Sequence, residues 1–194
     1  MAFGLRSPPL TAQPLPMNNK AATSVCIAVV YDGRMTQKLI IIRGNSGSGK
    51  STVAKRLQQE LGGGTMLIPQ DVIRIEILKT PDHPSNDAIE LIYEMAMYGH
   101  RIGYNVIVEG ILTEAKYGEM LRKLMGDFEG HTAAYYIDIS FDETLRRHNS
   151  RAKSQDFGEK EMREWWKEKD YLNIEGEVIL SGNISEDDVV KALL

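Results

Sequence analysis

Residues 44–51, with the sequence GNSGSGKS, combine the residue types that bind phosphate groups. Their three glycines allow backbone conformations that other residues disfavour, so the main chain can approach a ligand closely. Successive N–H groups of such a loop can point inward and hold phosphate oxygens. Lys50 adds a positive charge on a long side chain, and the hydroxyl of Ser51 is a suitable ligand for Mg²⁺. The residues and their spacing predict a site for a phosphate chain and a magnesium ion, with the Lys50 side chain exposed while the site is empty.

The flanking residues predict that this loop joins a strand to a helix. Residues 38–43, with an apolar run between Lys38 and Arg43, are typical of a short buried strand, and residues 52–61 place Val53, Leu57 and Leu61 on one helical face. The pattern G-x-x-x-x-G-K-[ST] in this context is the phosphate-binding P-loop, in which the positive end of the helix dipole faces the anion. A glycine-rich turn without a ligand is the alternative interpretation. The predicted nucleotide-binding residues are Gly44, Asn45, Ser46, Gly47, Ser48, Gly49, Lys50, Ser51 and Thr52.

The composition limits the kinds of protein that this chain can be. Its 194 residues suffice for one α/β domain with a sizeable core. The net charge of −4 disfavours general nucleic-acid binding, and the single cysteine, Cys26, excludes an internal disulfide bond. The sequence has no apolar run of the roughly 18 residues that a membrane helix needs. We expect a cytoplasmic protein, monomeric or homodimeric, with no membrane or nucleic-acid partner.

Residues 1–34 differ in pattern from the rest of the chain. Pro8, Pro9, Pro14 and Pro16 disfavour both helix and strand. We expect either a flexible N-terminal extension or an initiation codon assigned too early. A single domain at residues 35–194 is predicted to follow.

Strand and helix patterns alternate through this domain. After the P-loop unit, the predicted strands are 65–68, 105–108, 132–139 and 177–180, and the predicted helices are 72–79, 85–102, 113–125, 161–170 and two that begin at the capping residues Asp142 and Ser185. Such alternation predicts an α/β, three-layer P-loop NTPase fold with a central parallel five-stranded sheet. Ligands of such sheets bind at the carboxyl ends of the strands, where Gly44, Asp71, Glu109 and Arg146 fall.

Asp71 and Arg74 follow the second predicted strand and lie three residues apart, on one side of a helix. The carboxylate could accept the proton of an attacking hydroxyl group, and the arginine could hold an anionic group of a substrate. The alternative is an acid that interacts only with the helix dipole and an i,i+3 partner. We predict that Asp71 is catalytic and that both residues bind the substrate.

Glu109 ends the third predicted strand and precedes a glycine. A carboxylate at this position could hold Mg²⁺ directly or through water, or orient a nucleophile. The alternative is a strand-end acid that faces solvent. We predict that Glu109 and Ser51 bind the metal ion and that Glu109 also contacts the substrate.

Arg147 and Arg151 lie four residues apart on one face of a predicted helix, and Arg146 lies about 100° away. Transfer of a phosphoryl group requires more positive charge than one lysine supplies. We predict that Lys50, Arg147 and Arg151 are catalytic. The alternative is a solvated basic helix face, paired with neighbouring acids.

Four segments resemble one known group of proteins: GNSGSGKST at the P-loop, QD-x-x-R at 70–74, GYNVIVEG at 103–110 and ETLRRHNSR at 143–151. They are similar to the P-loop kinases of the nucleoside-monophosphate-kinase-like group, such as chloramphenicol phosphotransferase, adenylylsulfate kinase and zeta toxins, over most of residues 36–194. The resemblance implies that Asp71 orients or deprotonates the acceptor. It also implies that residues 142–151 begin a short lid whose arginines close over the phosphates. The chain differs in carrying Glu109 where aspartate is commoner, and Gln70 where many members carry a second acid or a small residue.

We therefore predict an ATP-dependent phosphotransferase that moves the γ-phosphoryl group of Mg-ATP to a hydroxyl of a small molecule. One alternative is a nucleotide-binding regulatory or toxin-like module that acts on a macromolecule. Another is an NTPase switch, which would need a glutamine or similar group near the attacking water. Gln70 is the only candidate for that group.

Overall fold

The computed structural model describes residues 38–129, 131–149, 158–181 and 185–194. The strands are β1 Leu39–Gly44, β2 Thr65–Pro69, β3 Asn105–Gly110, β4 Thr132–Asp138 and β5 Glu177–Ser181. The helices are α1 Lys50–Leu61, α2 Ala88–Arg101, α3 Glu114–Asp127, α4 Phe141–Asn149, α5 Glu159–Trp165 and α6 Glu186–Leu193, with a π-helical segment at Val72–Ile77. The predicted N-terminal extension lies outside the described residues. In the part of the chain that is described, no helix is both long and apolar enough to cross a membrane.

The five strands form one sheet in the order β2-β3-β1-β4-β5, and every neighbouring pair is parallel. Strand β1 is therefore central, with β3 on one side and β4 on the other. The register sets Ile42 of β1 opposite Glu109 of β3 and opposite Tyr135 of β4. Because all strands run the same way, the P-loop that follows β1 and the residues that end β2 and β3 meet at one edge. The predicted parallel five-stranded α/β fold is confirmed.

The side chains of β1 alternate between two cores, as the two-residue period of a strand requires. Leu39 and Ile41 pack in a core that contains residues of α2 and α3, on one face of the sheet. Ile40 and Ile42 pack in the other core, with residues of α1 and α6. Helices on both faces bury the central strand completely, which explains its continuous apolar sequence. The same packing fixes the position of the P-loop at the end of that strand.

Several predicted helices differ from the observed ones in extent or type. The predicted helix at 161–170 is instead α5, which ends at Trp165, and Trp166 has an extended backbone. The segment predicted as a helix at 72–79 is π-helical over Val72–Ile77. Helix α4 begins at Phe141, so Asp142 lies in its first turn and does not cap it. Ser185 does cap α6, because its hydroxyl accepts a hydrogen bond from the backbone N–H of Asp188.

Candidate functional site

The glycines of the P-loop are required by both backbone conformation and space. Gly44, Gly47 and Gly49 have φ values of 151°, 78° and 97°, in a region that strongly favours glycine. A Cβ atom on Gly44 would lie 2.7 Å from the carbonyl oxygen of Ile137, and one on Gly47 would lie 2.8 Å from Cγ2 of Thr144. The loop is therefore pressed against β4 on one side and against α4 on the other. Its position is set by these contacts before any ligand binds.

Lys50 is buried, which corrects the prediction that its side chain is exposed in the empty loop. Only 7% of the residue is accessible, and its Nζ atom donates a hydrogen bond to the backbone oxygen of Asn45 at 3.2 Å. The ammonium group thus contacts a carbonyl of its own loop. A bound anion would therefore meet a positive charge that is already held within the loop.

Ser51 and Glu109 lie in direct contact across the sheet edge. The Ser51 hydroxyl donates a hydrogen bond to Oε2 of Glu109 at 3.1 Å, and Glu109 is only 5% accessible. Burial raises the pKa of Glu109, and the negative charge of Asp71 adds to this rise. The positive charge of Lys50 and the hydrogen bond from Ser51 oppose it. A hydroxyl and a carboxylate oxygen are ligands that Mg²⁺ prefers. These two residues fit a magnesium ion at the start of α1.

Asp71 and Arg74 lie beside this pair but pair weakly with each other. Asp71 precedes the π-helical segment, its side chain is 60% accessible, and its Oδ1 is 3.5 Å from Nη2 of Arg74. The arginine also donates a hydrogen bond from Nη1 to the backbone oxygen of Thr80 at 3.3 Å. Its buried Nε atom has no hydrogen-bond partner among the described residues. Because its side chain is largely accessible, the carboxylate of Asp71 faces solvent, where a substrate can reach it.

Helix α4 brings one of its two described arginines to the P-loop. Nη1 of Arg147 is 3.4 Å from the backbone oxygen of Ser48, while its Nε donates to Glu143 at 2.6 Å. Arg146 also pairs with Glu143, but its side chain is 73% accessible. Hydrogen bonds from Arg146 and Arg147 lower the pKa of Glu143 to about 2. Arg151, the third predicted residue of this group, lies outside the described residues.

A cavity of about 270 Å³ lies next to the P-loop, between α1, α4 and the start of α6. The residues that bear on a ligand there include Ser48, Gly49, Thr52, Arg147, Ser185 and Glu186. The hydroxyl of Ser48 is buried and has no hydrogen-bond partner among the described residues. The cavity is therefore partly polar and adjoins the phosphate-binding loop.

Gln70 is not free to orient a water molecule, because both ends of its amide are engaged within the protein. It is 2% accessible, its Nε2 atom donates to the hydroxyl of Tyr117 at 2.9 Å, and its Oε1 atom accepts from the backbone N–H of Leu112. The same side chain fills the space in which a Cβ of Gly110 would lie, 2.4 Å from Oε1. Gln70 therefore holds the β3–α3 turn to the end of β2.

Two residues near the P-loop make contacts that the sequence alone does not predict. Arg43, the last residue before Gly44, is fully buried and pairs with Asp170 and Glu177. Thr144 of α4 is also fully buried and packs against Gly47. A charged residue inside an apolar strand was the available signal for Arg43. Its partners follow by more than 120 residues in the chain, so no local pattern could have identified them.

The parallel sheet, with the P-loop between β1 and α1, defines a P-loop protein of the nucleotide-binding class. The family model described as the AAA domain matches residues 39–172, which is more than half of the chain. The chain belongs to that family. No curated protein matches it in sequence.

Solved structures of kinases share this fold. The APS kinase of Mycobacterium tuberculosis has a TM-score of 0.61 at 19% identity, over 81% of this chain and 95% of that one. A gluconokinase from Sinorhizobium meliloti 1021 has a TM-score of 0.53 at 18% identity, over 82% and 91% of the two chains. A sugar kinase from Janibacter sp. HTCC2649 has a TM-score of 0.54 at 16% identity, over 81% and 92%. The expected resemblance to P-loop small-molecule kinases is confirmed at the level of the fold.

Proposed function

We propose that the protein is an ATP-dependent kinase that transfers the γ-phosphoryl group to a hydroxyl group of a small molecule. The observation that carries this proposal is the cluster at the sheet edge, where Ser51 contacts Glu109 at 3.1 Å and the charges of Lys50 and Asp71 both act on that carboxylate. Transfer to a hydroxyl needs a phosphate cradle, a metal site and a carboxylate open to the acceptor. This cluster supplies at least one residue for the phosphate cradle, for the metal site and for the carboxylate that faces the acceptor.

When bound, Mg-ATP supplies the phosphoryl group and the metal charge. Lys50 and the backbone N–H groups of the P-loop would hold the phosphates, while Ser51 and Glu109 would hold the metal ion. Asp71 would orient the acceptor hydroxyl or accept its proton, since its carboxylate is exposed. Arg74 would bind the acceptor beside it.

Positive charge on the other side of the loop would come from α4. Arg147 is already within 3.4 Å of the backbone oxygen of Ser48. Its guanidinium group would stabilise the negative charge that develops on the transferred group, and Arg151 would add to it.

The structural relatives support the proposal of a kinase that acts on a small acceptor. They do not identify the acceptor of this chain. The APS kinase structure contains AMPPNP, an ATP analogue, and APS. The other two relatives are described as a gluconokinase and a sugar kinase. Acceptors with hydroxyl groups are therefore the first compounds to test.

Two other functions could use the same site. A regulatory or toxin-like module would use the same P-loop but would act on a macromolecule. An NTPase switch would need a group that orients water, and both ends of the Gln70 amide are engaged in the core. The engagement of Gln70 favours the kinase over the switch.

The substitution Asp71→Asn tests the proposal, because it keeps the shape of the side chain and removes its charge. Binding of ATP should change by less than about threefold, since the P-loop holds the phosphates. Transfer to an acceptor should fall by about 10²-fold, which is the scale of general-base loss. Glu109→Gln is the matched comparison and should instead weaken binding of Mg²⁺. Unchanged acceptor phosphorylation in Asp71→Asn would remove Asp71 from the reaction.

A further inference from the structure

The side chain of Asn45 joins the P-loop to a distant part of the chain. Asn45 is 5% accessible, and its Nδ2 atom donates to the backbone oxygen of Lys167 at 2.7 Å. Its Oδ1 atom accepts from the backbone N–H of Lys167 at 3.1 Å. The amide side chain thus satisfies both backbone groups of one residue, 122 positions away. A third contact, from Nδ2 to the hydroxyl of Tyr136 at 3.3 Å, anchors it to β4.

The backbone of the same residue holds the reactive part of the loop. The carbonyl oxygen of Asn45 accepts a hydrogen bond from Nζ of Lys50 at 3.2 Å. It also accepts one from the backbone N–H of Ser48 at 3.2 Å. Any shift of Asn45 would therefore move the carbonyl that places the ammonium group of Lys50.

Lys167 lies where the chain returns to the core after α4 and α5. Trp166 directly before it packs edge-on against Phe141 of α4, with ring centroids 5.2 Å apart. Asp170, three residues after Lys167, accepts hydrogen bonds from Arg43 and from the backbone N–H of Glu114. Lys167 is thus fixed between helix α4, which carries Arg147, and the end of the central strand.

We infer that Asn45 is a positioning residue. It fixes the P-loop and Lys50 relative to residues 166–170, which we call the return segment. This inference rests on the proposed function, because it concerns the alignment of the transferred phosphoryl group. Binding energy for ATP is spread over many groups of the loop, whereas transfer depends on placement to within about 1 Å. Loss of the Asn45 contacts therefore affects turnover more than nucleotide binding.

Three variants separate this role from a general loss of stability. Asn45→Ala removes both contacts to Lys167. Lys167→Pro keeps Asn45 but removes the N–H that donates to it, and Trp166 already has the extended backbone that a residue before proline adopts, with φ −63° and ψ 129°. Lys167→Ala is the matched control, because the exposed side chain is lost while both backbone contacts remain.

The first measurement is hydrogen exchange of the peptides that contain residues 44–51 and 166–170, with Mg-ATP bound. This measurement requires no turnover. We expect Asn45→Ala and Lys167→Pro to exchange about tenfold faster than wild type in both peptides, the scale of a lost hydrogen bond, and Lys167→Ala to match wild type. The second measurement is steady-state kinetics with an acceptor. We expect the first two variants to lose about tenfold or more in kcat, with KM for ATP within about threefold.

Two results would overturn the inference. One is normal protection of residues 44–51 in both Asn45→Ala and Lys167→Pro, which would show that the contacts do not hold the loop. The other is a loss of ATP binding and melting temperature in parallel with kcat, which would indicate a structural role only. If wild type phosphorylates no acceptor, the proposed function fails, and the exchange experiment still decides whether Asn45 holds the loop.

Discussion

Two carboxylates share the edge of the sheet but differ in their surroundings. Glu109 is enclosed and receives a hydrogen bond from Ser51, whereas Asp71 is 60% accessible and only weakly paired. A buried carboxylate beside a hydroxyl suits a metal ion, because the cation replaces the lost solvation. An exposed carboxylate suits a substrate that must enter and leave. The difference in burial is the reason for giving the two acids different roles.

The raised pKa of Glu109 predicts a pH dependence in metal-free protein. Because the folded-state pKa lies above the unfolded value of about 4.3, the proton is held more tightly in the folded chain. The resulting stabilisation is fully present below that unfolded pKa and is lost as the pH rises through the folded pKa. The side chain introduced by Glu109→Gln cannot titrate. The stability of wild type should therefore fall relative to that of this variant as the pH rises over that range. Urea unfolding with EDTA at several pH values measures the difference, and a constant difference would contradict the assignment.

Helix α4 presents two neighbouring arginines in different environments. Arg147 approaches the P-loop, while Arg146 is largely exposed and pairs only with Glu143 among the contacts described. The contrast follows from the 100° rotation between successive residues of a helix. It provides a variant and a matched control on the same helix.

Arg147→Ala should lower kcat by about 10- to 100-fold, because an arginine that stabilises the transferred group is lost. Arg146→Ala removes the same charge from the same helix and should change kcat by less than about twofold. Steady-state kinetics of both variants at saturating Mg-ATP makes the comparison. Equal losses in the two variants would indicate that only the overall charge of α4 matters.

The return segment after α5 depends on the buried Arg43. Its guanidinium group pairs with Asp170 at 2.9 Å and Glu177 at 3.1 Å and donates from Nε to the backbone oxygen of Leu112. Burial lowers the pKa of Arg43, and the two carboxylates oppose this shift. The arginine thus joins β1, β5, the β3–α3 turn and the return segment at one point.

Arg43→Met should destabilise the protein by about 3–5 kcal/mol, since two largely buried carboxylates lose their partner. In a chain of this length the melting temperature should fall by about 10 °C. Arg122→Met is the control, because its ion pair with Glu114 is exposed and should contribute little. Calorimetry of both variants tests the difference, and a similar small shift in both would contradict the role of Arg43.

At the scale of the whole molecule, the sequence predicted the elements that depend on local patterns. The apolar run of β1, the glycines of the P-loop and the alternation of strand and helix were enough for the sheet and the loop. The contacts that depend on distant residues were not predictable. Helix α5 ends at Trp165, and Lys167 beyond it bonds to the side chain of Asn45. The buried Lys50 bonds to the backbone of the same residue. A helical pattern continues through 166–170, and a tertiary contact overrides it.

The residues of the site also divide into features that local patterns predict and features that depend on distant contacts. Asp71 and Glu109 could be named because parallel strands bring their carboxyl ends to one edge. The sequence could not show that Glu109 is enclosed and Asp71 open, since exposure depends on the packing of β1, β3 and α1. The engagement of Gln70 by Tyr117 and Leu112 was equally hidden, because those partners lie over 40 residues away.

The fate of the γ-phosphate of ATP tests most directly whether the protein transfers a phosphoryl group to an acceptor. Labelled Mg-ATP would be incubated with panels of nucleosides, sugars, sugar acids and antibiotics, with Lys50→Ala as the inactive control. We expect one class of acceptor to acquire the label and to increase release of ADP, and we expect Lys50→Ala to lower this rate by at least about 10²-fold. Release of the label only as inorganic phosphate, at one rate with and without every acceptor, would contradict it.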